Sequence, residues 1–281
     1  MYYTRYTDAT HFIEDTFIYL LKQEAQNNLL IANAIQIREV GVEGNIMATI
    51  KNDEGDILLS AIMTPPFNLV IYATDNQYTE EALTLLSRSL YESCEKLPGV
   101  IGEKALVADF TRLYCSLTHQ TFKTKLGMNV YNLTKVEEVA KPSGKLRLAT
   151  TKDLFYLPYW RTSFIYECGL RVSAFDEAVT RTTQNIESEN IYIWEDGYPV
   201  SIAAKGRKLL NGVSIALVYT PPHFRGHKYA SACVSTLSQK CLDEGYKFVC
   251  LFADTLNPIS NQIYTNMGFQ FICEYEDIQF I

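Results

Sequence analysis

The sequence predicts an α/β (α+β) fold built as two related halves, each a sheet flanked by helices. Three observations point there. Short apolar runs bounded by turn residues alternate along the chain with runs of helical period. Asp196-Gly197 and Asn211-Gly212 each separate two strand-like runs, a strong short-range hairpin signal. A turn-then-strand stretch, EGDILLSAIMTPP, is echoed by DGYPVSIAAKG, and LGM at 126–128 ends its half much as MGF at 267–269 does.

Taken in order, Asp8 suits the N-cap of a helix in a mainly helical region over 5–40, with Phe12, Thr16, Tyr19, Leu20 and Gln23 stepping around it. Strands are expected at 45–51, 57–63 and 68–73, the first two joined by the NDEGD turn. A helix over 78–94 sets Leu83, Leu86, Leu90 and Cys94 on one face; Pro98 and Gly99 then break the chain. A helix over 103–116 and a strand over 128–134 finish the first half. KPSGK at 141–145 is the best linker, dividing the chain into domains 1–140 and 141–281. In the second domain a short strand at 145–149 precedes a helix capped by Thr150 or Thr151, which Pro158 bends or interrupts. A helix over 173–188 has Asp176 and Glu177 in its first turn. Hairpin strands follow, then the strand GVSIALVYT stopped by Pro221 and Pro222, then a helix over 226–244 closed by Gly245. KFVCLFAD reads as a central strand buried on both faces. A helix over 258–267, closed by Gly268, and a last strand FQFICEYEDIQF end the sequence.

The bulk numbers narrow the function. At 281 residues, 47% hydrophobic and 20% charged, without Pro- or Ser-rich tracts, this is a globular chain with a proper core. A net charge of −7 counts against nucleic acid as a partner and is compatible with a cationic or amine substrate, though solubility alone also accounts for it. The seven cysteines are widely spaced and form no CxxC, so buried free thiols fit better than disulfides or zinc. The N-terminus has no basic-then-apolar leader, and no apolar run reaches the roughly 20 residues that cross a bilayer. The expectation is a cytoplasmic protein without a membrane partner.

The segment LVYTPPHFRGHKYASACV at 217–234 carries the chemistry. A strand ends, two prolines turn the chain out of the sheet, and Arg225-Gly226 leads into a helix. Backbone N–H groups at that helix start, together with its dipole, suit a pyrophosphate. Gly226 permits close approach, Ala230 keeps the first turn small, and Arg225 and Lys228 add positive charge. An ordinary strand-turn-helix crossover has the same outline. Arg225-Gly226-His227-Lys228-Tyr229-Ala230 resembles the Q/R-x-x-G-x-G/A pattern of the GNAT superfamily of N-acetyltransferases, with Lys228 in place of the preferred Gly.

A second segment, DTLNPISNQIYTNMGF at 254–269, resembles that family's other cofactor stretch, an Asn-Pro before a short helix that carries a Tyr and ends in Gly-Phe. The resemblance covers the second half of the chain and implies a mixed, mostly antiparallel sheet flanked by helices, with acetyl-CoA as cofactor and no metal. It implies cofactor contacts from Leu217, Val218, Tyr219, Arg225, Gly226, His227, Lys228, Tyr229, Ala230, Ser231, Asn257, Asn261 and Tyr264. Asn257 would meet the pantetheine arm, the Val218 N–H would polarise the thioester carbonyl, and Tyr264 would protonate the departing thiolate. Tyr264 follows Asn257 by two helical turns, so both can face one groove.

The reaction implied is direct transfer of an acetyl group to a primary amine in a ternary complex. The proton acceptor is open among Asp254, Glu195, His223, Tyr219 and a water relay, with Asp254 preferred; a loop-capping role for Asp254 is the rival reading. Cys233, Cys241 and Cys250 read as core rather than as acyl carriers. The acceptor is a small-molecule or peptide amine, and the protein a monomer or homodimer. The first half carries no such motif: TPPF at 64–67 has no Arg-Gly after it, so this half is expected to have lost the cofactor site and to serve substrate selection or dimerisation. The alternative is a degenerate acetyl-CoA-binding sensor or interaction module that does not turn over.

Overall fold

The structure, a computed structural model, describes residues 1–74, 78–93 and 96–281. The chain divides into two compact units, one of Met1–Val130 with Ile272–Ile281 and one of Tyr131–Phe271.

The first unit runs β1 (Tyr2–Arg5), α1 (Ala9–Leu21), α2 (Asn28–Val40), β2 (Ile46–Lys51), β3 (Ile57–Met63), β4 (Leu69–Tyr72), α3 (Glu80–Glu92), β5 (Gly99–Glu103), α4 (Lys104–Thr118) and the start of β6 (Phe122–Leu133). Asp8 caps α1 as its position predicts, accepting hydrogen bonds from the amides of Thr10 and His11. β1 to β4 pair antiparallel in sequence order, with Thr4 opposite Thr49, Ala48 opposite Ala61 and Ala61 opposite Ile71. β4 and β5 are parallel, with Leu69 opposite Val100. The last strand of the chain closes this sheet: its residues Tyr275 to Gln279 pair antiparallel with β5. Leu83, Leu86 and Leu90 of α3 enter the core with Phe110 and Tyr114 of α4. Cys94, expected on the same face, lies outside the described residues.

The second unit repeats the same order of elements. β7 (Lys145–Leu148) and a 3₁₀ turn (Thr151–Phe155) lead to α5 (Leu157–Glu167) and α6 (Phe175–Glu187). β8 (Ile191–Glu195), β9 (Pro199–Lys208), β10 (Gly212–Tyr219), α7 (Tyr229–Asp243), β11 (Phe248–Asp254), α8 (Pro258–Asn266) and β12 (Gln270–Phe280) follow. β7 to β10 are antiparallel neighbours, β10 and β11 are parallel, and the end of β6 lies beside β11. β11 is therefore central, in keeping with its apolar sequence and near-complete burial. At the Asn211-Gly212 turn a Cβ on residue 212 would come within 2.3 Å of the Phe248 ring, so only glycine fits where β10 meets β11.

Four features differ from the sequence reading. β1 and β5 are too short to show a period, and β5 begins on the Pro98-Gly99 pair that looks like a simple break. The helical run capped at Thr150 is interrupted at Tyr156, but Pro158 does not bend α5: it occupies the first turn of this new helix, where a missing N–H costs nothing. α7 begins at Tyr229 rather than Gly226, since Gly226 and Lys228 both have positive φ. The units part between Val130 and Tyr131, inside β6, whereas the KPSGK composition suggests a cut near 140.

Candidate functional site

The geometry of β10 prepares the site in the second unit. β10 pairs with β11 only from Gly212 to Ser214. On its other edge Ala216 faces Ala204 while Tyr219 faces Ile202, so β10 carries one extra residue in that stretch. Leu217 takes this up with a φ of 52°. Such a bulge bends a strand and frees its local backbone from the ladder. The stretch holding Leu217, Val218 and Tyr219 is thus the part of β10 that runs beyond its recorded pairing with β11.

Immediately beyond, Pro221 and Pro222 start a short 3₁₀ turn, and the backbone reaches α7 through Gly226 (φ 83°) and Lys228 (φ 63°). Backbone that changes hand in this way gathers consecutive N–H groups into an anion-binding concavity. The first α-helical hydrogen bond runs from Ala232 N–H to the Lys228 carbonyl, which leaves the amides of Tyr229, Ala230 and Ser231 without an intrahelical acceptor. No side chain caps them, and the first turn holds no carboxylate. α3, at the equivalent place in the first unit, is built the other way: Thr79 caps it by accepting from Ala82 N–H, and Glu80 and Glu81 fill its first turn. An anion is welcomed at α7 and opposed at α3.

Lys228, the departure from the pattern, occupies a left-handed position, which explains why glycine is preferred there. Left-handed backbone costs a non-glycine residue about 1–2 kcal/mol. Lys228→Gly is therefore expected to raise the stability of the protein by about 1 kcal/mol, read as a higher urea midpoint at unchanged m-value.

Around this loop His223 lies against Phe224, with ring centroids 3.9 Å apart, and His227 lies 5.7 Å from the Tyr229 ring. The Tyr229 hydroxyl donates to Asp196 over 2.7 Å, tying the loop to the β8–β9 turn. Arg225 is held by protein: its Nε donates to the Thr220 carbonyl over 2.8 Å and its Nη2 to Glu167 over 2.7 Å, above the Tyr219 ring.

Tyr264 is the one buried residue of α8 and is only 8% exposed. Its ring lies 6.3 Å from that of Tyr131 and 5.8 Å from that of Phe269. Among the described residues its hydroxyl has no hydrogen-bond partner. Burial pushes that hydroxyl well above the ordinary phenol range, and the nearby Cys168 thiol adds to the shift. Cys168 itself is raised by burial and then by the carboxylates of Asp254 and Glu167. The Cys168 thiol just past α5 is thus within electrostatic range of Asp254 at the end of β11 and of Tyr264 on α8.

The sequence reading missed Glu167 and Cys168. Nothing in the run YECGL marks them, because the approach of Glu167 to Arg225 and Tyr219, and of Cys168 to Tyr264, is a long-range consequence of where α5 ends.

The other candidates fall into place around these. Asn257 caps α8, its Oδ1 accepting from Ser260 N–H over 3.0 Å, which leaves its side-chain NH₂ for another group. Asn261 is a clamp: its Nδ2 donates to the carbonyls of Asp254 and Asn257, and its Oδ1 accepts from Tyr131. Both side-chain donors of Asn261 are thus taken by the protein. Asp254 accepts from Leu256 N–H through one oxygen, the capping role, while its charge also acts on Cys168. Glu195 is bound to Arg147 and so is committed elsewhere. Burial pushes the Cys233 thiol up to about 12 and the Cys241 thiol up to about 11, which makes both inert core residues. Among the described residues no group of three or more His, Cys, Asp or Glu side chains is placed to hold a metal ion, and no helix is long and apolar enough to cross a membrane.

No protein-family model matches the chain, and no curated protein matches its sequence. Solved structures do match its fold. The chain is similar to a GNAT-family acetyltransferase from Colwellia psychrerythraea, 12% identical, covering 100% of this chain and 99% of that one with a TM-score of 0.59. It is similar to a GCN5-related N-acetyltransferase from Sphaerobacter thermophilus, 14% identical over 91% of each chain, TM-score 0.60. It is also similar to a tandem GNAT protein from the clavulanic acid biosynthesis pathway, 8% identical, covering 100% and 98%, TM-score 0.54. The chain has the GNAT-type fold, in a neighbourhood that includes full-length tandem arrangements.

Proposed function

We propose that the second unit binds acetyl-CoA and moves its acetyl group to a primary amine by direct transfer. The observation that carries this reading is the bulged end of β10 leading into the uncapped, carboxylate-free start of α7. The amides of Tyr229, Ala230 and Ser231, with those of Gly226, His227 and Lys228 before them, would take the cofactor's diphosphate. The stretch Leu217 to Tyr219 would lie along the pantetheine, with the Val218 N–H directed at the thioester carbonyl. Asn257, through its remaining NH₂, would meet the same arm. Tyr264 would hold a proton beside the departing sulfur, and Asp254, with water, would take the proton from the amine.

The first unit has the same order of elements but a capped and acidic α3, so its role in this reading is other than holding a second diphosphate at that helix.

The experiment is thermal unfolding with and without CoA. A ligand at a hundred times its Kd stabilises the folded state by about 2.7 kcal/mol. A rise of several degrees in Tm is expected with CoA, and a smaller rise with dephosphorylated pantetheine, which lacks the diphosphate. Equal response to both, or to neither, removes the α7 anion site from the account. Release of free thiol from acetyl-CoA with an amine panel then separates an enzyme from a sensor that binds without turnover.

A further inference from the structure

We infer that Glu167 is the acceptor-binding carboxylate of this site, and that Arg225 holds it closed until the cofactor's diphosphate draws the guanidinium away. The inference rests on the acetyl-transfer reading and assigns a residue for the substrate that this reading leaves without one.

Arg225 directly precedes the amide cluster at α7, yet its guanidinium is turned to the Thr220 carbonyl and to Glu167 at the end of α5. That ion pair is weakly held, because the side chains are 47% and 40% exposed, and exposed pairs contribute little. A diphosphate arriving at the neighbouring amides carries more charge than a carboxylate and offers pairs of oxygens that the planar arginine fork can take bidentately. It therefore competes for Arg225 at small cost.

What it releases is positioned for an amine. The second Glu167 oxygen accepts a long 3.4 Å contact from the Tyr219 hydroxyl at the end of β10. The adjoining Cys168 lies in electrostatic range of both Tyr264 and Asp254. An acceptor amine arrives as an ammonium at neutral pH and needs a carboxylate with free lone pairs. Asp254 keeps one oxygen on the Leu256 amide, and Glu195 is bound to Arg147. Glu167 is the carboxylate at this end whose partner the cofactor itself removes. The arrangement makes the cofactor bind first and the amine second.

The test uses the full chain with Glu167→Gln and Glu167→Asp. CoA affinity is measured by calorimetry. Transfer from acetyl-CoA is followed with phenethylamine, putrescine and lysine methyl ester, carrying forward the amine best used by the parent protein. Without its carboxylate partner Arg225 is free for the diphosphate, so E167Q is expected to bind CoA about two- to fivefold more tightly. Its KM for the amine is expected to rise about tenfold or more with kcat little changed, and E167D to recover part of that loss. Unchanged or weaker CoA affinity in E167Q, or an unchanged amine KM, overturns the inference, and the CoA measurement decides alone where no amine in the panel is used. Failure of the parent protein to bind CoA is a different result: it removes the acetyl-transfer reading itself.

Discussion

Tyr264→Phe is expected to slow acetyl transfer by about a hundredfold while leaving CoA affinity within about threefold. The substitution removes one hydroxyl and keeps the ring, so the contacts with Tyr131 and Phe269 persist and the fold is spared. The magnitude follows from the position of the hydroxyl. General acid catalysis is worth about a hundredfold to ten-thousandfold, most when the acid is matched to the group it serves. Burial holds the Tyr264 hydroxyl above the ordinary phenol range, well above an alkyl thiol at about 8.5. That mismatch keeps the proton on Tyr264 across the neutral range but makes complete transfer to a thiolate uphill, which places the effect near the lower limit. A hydroxyl without a partner among the described residues, on a residue 8% exposed, is also the group most readily satisfied by a ligand atom. The check is kcat from thiol release beside a calorimetric Kd for CoA. Equal losses in kcat and affinity would mean that Tyr264 shapes the cofactor groove rather than donating a proton, and no loss in either would remove it from the chemistry.

How far the site was legible in the sequence depends on how local each signal is. The TPPHFRG run announces a strand that ends, a turn and a helix start, and all three are present. The Asp196-Gly197 and Asn211-Gly212 signals fall where β8, β9 and β10 are joined, each by a loop of three residues, with Gly197 at positive φ. Tyr264 and Asn257 lie where the helix spacing sets them, with Asn257 also acting as the cap of α8. What escaped was either short or distant. β1 and β5 have too few residues to display a period. The strain at Lys228 is a matter of backbone hand, visible in the sequence only as a departure from glycine. The approach of Glu167 to Arg225 joins residues 58 positions apart, and no local pattern encodes it. The return of the chain's end to the first unit is another such case, since pairing of β12 with β5 depends on a sheet edge made more than 150 residues earlier.

Asp153→Ala is expected to destabilise the protein by about 3–5 kcal/mol, the cost of removing one partner from a buried ion pair. Asp153 is 4% exposed and accepts from Arg147 through both of its oxygens, at 2.8 and 2.9 Å, from the Thr150 amide at 2.7 Å and from the Tyr156 hydroxyl at 2.7 Å. Arg147 also binds Glu195, so this network joins β7, β8 and the 3₁₀ turn from which α5 departs. Removing the carboxylate leaves a guanidinium with one of its two anions and a phenol and an amide without acceptors. The pH dependence gives an independent reading. Burial pushes the Asp153 carboxyl up, but the hydrogen bonds from Arg147, Thr150 and Tyr156 outweigh it and hold the group at about 2, below the ordinary 3.8. A depressed carboxyl contributes its stability above the unfolded value and loses it as pH falls through the folded one. The parent protein should therefore lose about 2 kcal/mol from this group between about pH 4 and pH 2, at 1.36 kcal/mol per unit, and Asp153→Asn should lack that part of the slope. Urea unfolding at pH 7 and across the acid range measures both. Because α5 ends at Glu167, with Cys168 as its cap, a loosened start should reach the proposed site as well: the same substitutions should weaken turnover more than CoA binding, which is proposed to rest on the α7 amides. A parent and an Asn variant with the same acid limb, or an Ala variant within about 1 kcal/mol of the parent, would show that the network does not anchor α5.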